Sequence, residues 1–141
     1  VYNLSYEQRL AAWSAFRESL ETSADPLQDT IDFYKQFPLV SIHTDPYDKN
    51  CWPDPWELIH ENEYCDYCII LGMCYTLQLT TRFSGEEFEI HIGIDEGNTQ
   101  QFYLLVVGDK VLGYDVDTYV NKETALTKIK SQVVYPMTTD H

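Results

Sequence analysis

The chain has 141 residues, a formal net charge of −14, 44% apolar residues and 14% aromatic residues, which suits a single domain over 1–141 with one sizeable core. Three Trp, eleven Tyr and six Phe exclude a disordered chain, because disordered chains are poor in aromatic side chains. The acidity repels phosphate backbones and anionic lipid, so neither nucleic acid nor a membrane surface is an expected partner, and a basic protein surface is.

Residues 5–23 carry Tyr6, Leu10, Trp13, Phe16 and Leu20 at three-and-four spacing, which predicts an amphipathic helix with Ser5 as its N-cap. A second helix is predicted from Asp25-Pro26, through Leu27, Ile31, Tyr34 and Phe37, to the break at Pro38. Together they form an N-terminal helical segment, 1–37. From Pro38 to Pro55 the sequence reads as a loop rich in Asp, Pro and Trp. Trp52 and Trp56 in or beside it either dock a partner or pin the loop to the core. Pro55 opens a short helix with Asp54 as cap, and a longer helix follows from about Tyr64 to Leu79 despite Gly72.

Past Gly85 the period changes to two. Phe88, Ile90, Ile92 and Ile94 alternate with Glu89, His91 and Gly93, the pattern of a half-buried strand. Gln101–Val107 and Val111–Asp115 are predicted to form a hairpin around Gly108-Asp109-Lys110. A short helix from Asn121 toward Lys130 and a last strand at Val133–Tyr135 complete the chain. Helices followed by an antiparallel sheet make the expected class α+β, with a central Cys-bearing helix packed on the sheet. No run of about 18 apolar residues predicts a membrane span, and the beginning of the sequence lacks a signal-peptide design, so secretion by that route is not expected.

The motif with most chemical content is Tyr64-Cys65-Asp66-Tyr67-Cys68, which puts a cysteine at a helix start. Unpaired N–H groups and the helix dipole favour a thiolate there. Cys65 and Cys68 share a helix face, where a disulfide three residues apart is strained, while Cys74 points away by about 180°. That geometry speaks against a metal site, so no metal or cofactor is expected. A thiol nucleophile needs a base and an orienting acid. Asp115 at the end of a strand can be the acid, but Gln101, at the start of the preceding strand, cannot take a proton near neutral pH. His91 should project from the sheet face opposite the isoleucines. His43 and His60 lie in Pro/Trp-rich or charged segments, and His141 is terminal.

Tyr64-Cys65-Asp66-Tyr67, Gln101-Phe102-Tyr103-Leu104 and Gly113-Tyr114-Asp115 occur in the order of the Cys, His and Asp elements of the transglutaminase-like cysteine fold, which this chain resembles over roughly 52–118. The resemblance implies a nucleophile at Cys65, an orienter at Asp115 and a base position occupied by Gln101. Asp54-Pro55-Trp56-Glu57-Leu58-Ile59 leading into Tyr64-Cys65-Asp66-Tyr67 also looks like small transglutaminase-like proteins of large tailed bacteriophages.

The resulting expectation is a catalytically degenerate, non-catalytic structural or interaction protein. It would be a virion component of tail, neck or baseplate, located in the virion or host cytoplasm, with other virion subunits as protein partners. Trp52, Trp56 and Tyr103 are its expected binding residues. The alternative is an active thiol enzyme, a transglutaminase or cysteine peptidase, using Cys65. A third reading is a small-ligand or metal module built from Cys65, Cys68 and His91.

Overall fold

The computed structural model describes residues 1–41 and 44–138; His43 and His141 lie outside the described residues. The fold is α+β: helices come first and the strands that follow form an antiparallel sheet. The chain divides into two compact units, Val1–Ser84 and Gly85–His141.

In the first unit, helix α1 (Tyr6–Leu20) starts with a reciprocal capping box between Ser5 and Gln8, which satisfies two of the otherwise unpaired N–H groups. It ends three residues before the expected limit because its last carbonyls find partners elsewhere. Arg82 donates to Leu20 O at 3.0 Å and to Ser23 O at 2.7 Å. The Glu21 carboxylate accepts from the backbone N–H groups of Thr81 and Arg82 at 2.8 and 2.9 Å. Helix α2 (Pro26–Lys35) has the expected cap, Asp25, and the expected first-turn proline. A 3-10 turn, Lys49–Cys51, interrupts the loop that follows. Helix α3 (Pro55–Glu61) carries a second capping box, Asp54 with Glu57, and ends at Asn62 in the left-handed region, φ 54°.

Helix α4 (Asp66–Gln78) is buried along almost its whole length, so it has no polar stripe and its sequence carries little helical periodicity. Its position is set by a polar node. The Tyr34 hydroxyl donates to Gly72 O at 3.0 Å and lies 2.8 Å from Thr76 Oγ1. Thr76 Oγ1 donates to the same Gly72 carbonyl at 2.7 Å and accepts from Trp13 Nε1 at 3.0 Å. Residues of α1, α2 and α4 thus meet on one helical turn. Gly72 leaves the space for it, since a Cβ there would stand 2.7 Å from Tyr34 Cε1.

The second unit is a sheet of order β4-β3-β2-β1-β5, made from β1 (Phe88–Asp95), β2 (Gln100–Val107), β3 (Lys110–Leu112), β4 (Val120–Asn121) and β5 (Ile129–Met137). The two-residue turn Gly108-Asp109 between β2 and β3 has Gly108 at φ +57°, a conformation glycine adopts without steric cost. Leu104, Val106, Val111 and Ile129 pack with Ala125 of the short helix α5 (Lys122–Lys128) into one core.

Two strands differ from expectation. β3 stops at Leu112, short of Asp115, because Gly113 turns away at φ +102°. β5 is nine residues long, not three, and pairs along all of β1 with a bulge opposite Ile92/Gly93. Its alternation of half-buried and exposed residues passes through Lys130, Gln132 and Pro136, polar or strand-breaking types that mask an edge strand in a sequence.

Replacing a mid-helix glycine by alanine ordinarily stabilises by about 1 kcal/mol. At Gly72 the added methyl group must displace the Tyr34 ring, and overpacking of this kind costs about 1–3 kcal/mol. Gly72→Ala is therefore expected to lower the urea midpoint with an unchanged slope, measured by circular dichroism.

Candidate functional site

Cys65 is the N-cap of α4, with extended backbone at φ −88° and ψ 173°, and not a member of the helix. Its carbonyl accepts the first helical bond, from Ile69 N at 3.0 Å. Its side chain makes no capping hydrogen bond to the backbone and is 0% exposed. Cys68, one turn on, is also 0% exposed, and its Sγ lies 3.3 Å from the buried Thr44 Oγ1. A hydrogen bond to Cys65 and loss of solvent push the Cys68 thiol well above its ordinary pKa. Burial does the same to Cys74. Cys51 is the exposed thiol; it donates to Asp48 Oδ2 at 3.1 Å, and that carboxylate raises its pKa.

The other members of the expected triad belong to the second unit. Gln101 is exposed near the start of β2, pairs with Ile94 and accepts from the Tyr103 hydroxyl at 3.3 Å. Asp115 lies in the bends after β3, is exposed, and accepts from Asp117 N at 2.8 Å in a local turn. It therefore does not close a strand, as the sequence pattern had indicated. Within this unit the two segments do approach, since the rings of Phe102 and Tyr114 stack with centroids 5.8 Å apart.

His91 has the predicted parity, opposite to the isoleucines, and pairs with Leu104. It is not a surface residue: it is 6% exposed and sits between Ser131, whose Oγ is 2.7 Å from Nδ1, and Glu89, whose Oε1 is 3.0 Å from Nε2. A carboxylate can only accept, so Nε2 carries the proton in the neutral ring and Nδ1 accepts from the serine hydroxyl. Both ring nitrogens are thereby engaged, and the three side chains fasten β5 to β1 beside the bulge. The strand alternation places Glu89 with His91, but nothing in the sequence marks Ser131. Among the described residues, no group of three His, Cys, Asp or Glu side chains is placed to hold a metal ion, and no helix is long and apolar enough to cross a membrane.

The two tryptophans divide their tasks. Trp52 is half-buried, donates from Nε1 to Asp45 O at 3.2 Å and packs 5.3 Å from the Tyr67 ring, so it pins the loop. Trp56 is 45% exposed and rests edge-on against Trp13 at 6.3 Å. Tyr47, Leu39 and Val40 are exposed in the same stretch of chain, where carboxylates far outnumber cations. Tyr103, the third expected binding residue, is half-buried on β2.

Cys51 is expected to be alkylated first in the native protein. Cys65, Cys68 and Cys74 should follow at least roughly tenfold more slowly, since a local opening that costs about 1.4 kcal/mol already slows reaction tenfold; peptide mass spectrometry reads the order. A pH dependence follows from the same burial. Burial also raises the phenols of Tyr34, Tyr64 and Tyr75. Unfolded thiols ionise near about 8.5 and phenols near about 10, while the folded chain keeps these protons. Their contribution is therefore full below about pH 8.5 and is lost as pH rises, so the urea midpoint should fall steadily between about pH 9 and 11. Comparison with protein-family models, with curated proteins and with solved structures finds no match to this chain.

Proposed function

We propose that this chain is a non-catalytic interaction protein on a degenerate transglutaminase-like scaffold, and that it serves as a virion component of a tailed phage, in its tail, neck or baseplate. The observation that carries the non-catalytic reading is the state of Cys65, a buried N-cap whose sulfur is engaged by Cys68. Gln101 at the family's base position offers a neutral amide, tied to Tyr103, where amide chemistry needs a group that shuttles protons. The phage assignment rests on the resemblance of the segment from Asp54 to Tyr67.

The binding surface in this reading is the stretch from Leu39 to Glu63. Trp56 and Tyr47 supply large, half-exposed aromatic faces. Asp45, Asp54, Glu57 and Glu61 supply exposed negative charge around them in the sequence. Aromatic faces among carboxylates suit arginine side chains, which stack on rings and pair with carboxylates. The partner is accordingly a basic protein surface, and its attraction weakens with salt.

Titration of an arginine-containing basic peptide, followed by tryptophan fluorescence, tests this. Binding should weaken with salt, and Trp56→Ala should weaken it by roughly 30-fold, the loss of a hot-spot residue of about 2 kcal/mol. Cys65→Ser should bind as wild type does. Cys65-dependent amide hydrolysis or amine incorporation into a glutamine peptide by the native protein would instead establish the thiol enzyme.

A further inference from the structure

Cys65 and Cys68 stand at the N-cap and third helical positions of α4. This is the spacing of a capping box, in which the N-cap side chain folds over the first turn toward the third residue and the third residue's side chain reaches back. Elsewhere in this chain Ser5 with Gln8 and Asp54 with Glu57 close such boxes with oxygen. Here the Cys68 thiol hydrogen-bonds to the Cys65 side chain and Cys68 also bonds to the Cys65 backbone, while the Cys65 sulfur makes no capping hydrogen bond to the backbone.

That geometry removes the objection to a bridge between the two. Within a regular helix, Cβ atoms three residues apart lie about 5–6 Å from one another, beyond the roughly 3.5–4.5 Å that a disulfide spans. Cys65 is outside the helix, with extended backbone at ψ 173°, so the regular helical separation does not apply to this pair. The two side chains are hydrogen-bonded to each other in the reduced protein. A second condition concerns access. Both residues are 0% exposed, and Thr44 closes on Cys68 at 3.3 Å. Neither thiol meets solvent in the closed structure, so oxidation waits on a local opening, and the smallest opening admits the smallest oxidant.

We propose that Cys65 and Cys68 are a reversible disulfide site whose oxidant is a small hydroperoxide. The Cys65 sulfur attacks one peroxide oxygen; the O–O bond breaks, leaving a sulfenic acid on Cys65 and one water. The Cys68 sulfur then attacks Cys65 Sγ, forming the S–S bond as the sulfenic oxygen leaves with the Cys68 proton as a second water. Two thiols and one hydrogen peroxide give one disulfide and two waters, the two electrons passing from sulfur to peroxide. Neither step protonates an amine, so the chemistry has no need of a histidine at the position of Gln101. Neither cysteine belongs to the Leu39–Glu63 stretch, which touches the pair through the buried Thr44.

The test exposes the native full-length chain to hydrogen peroxide, quenches it and maps each cysteine by differential alkylation and intact mass. The expected product has lost two hydrogens, has Cys65 and Cys68 both protected, and reverts with dithiothreitol. Cys68→Ser should stop at a sulfenic acid on Cys65 that dimedone traps. The urea-unfolded chain, treated in parallel, reports oxidation without the fold. Free Cys65 and Cys68 in native protein, under conditions that oxidise the unfolded chain, would overturn the proposal. So would passage of native wild-type Cys65 to sulfinic or sulfonic acid with Cys68 still reduced, because a resolving thiol in place forestalls that outcome.

Discussion

The helical unit depends on the contact between Tyr34 and Gly72. One carbonyl, Gly72 O, accepts from both the Tyr34 and Thr76 hydroxyls, and Trp13 closes the chain of donors onto Thr76. Every one of these groups is buried, so each would cost about 1–3 kcal/mol if left unpaired. The arrangement works only with the three helices in one register, which makes it a device for selecting that register as well as a stabilising contact. A glycine in the middle of a helix, poor by propensity, is retained because no other residue lets an aromatic ring lie on the helix backbone. With α4 held at its middle, the position of its first turn is set, and with it the hydrogen bond between Cys68 and Cys65.

Much of the fold was legible in the sequence, and for local reasons. Ser5, Asp25-Pro26 and Asp54-Pro55 announce helix starts through the hydrogen bonds their side chains offer the free N–H groups. The alternation from Phe88 to Ile94 announces a strand. What was not legible depends on distant partners. Arg82 and Glu21 settle where α1 ends, from sixty residues apart. β5 extends beyond Val133–Tyr135 because β1 pairs with it, while its flanking Lys130, Gln132 and Pro136 read as loop. Gly113 ends β3 before Asp115, which no alternation of side chains can foretell.

The thiol pair shows how two residues of error in a boundary change the chemistry inferred. With Cys65 counted inside the helix, Cys68 is a neighbour on a face and a bridge between them is strained. With Cys65 as the N-cap, the same spacing becomes the one at which side chains reach for each other. The two tryptophans carry a similar lesson: both precede or open α3 and look alike in sequence. The hydrogen bond from Trp52 to Asp45 O and its packing on Tyr67 separate the one that holds the loop from the one that faces solvent.

The long outer strand β5 carries Lys130, a bulge and Pro136. Each works against another chain's pairing with that edge to extend the sheet. This strand is therefore a poor template for the backbone of another chain.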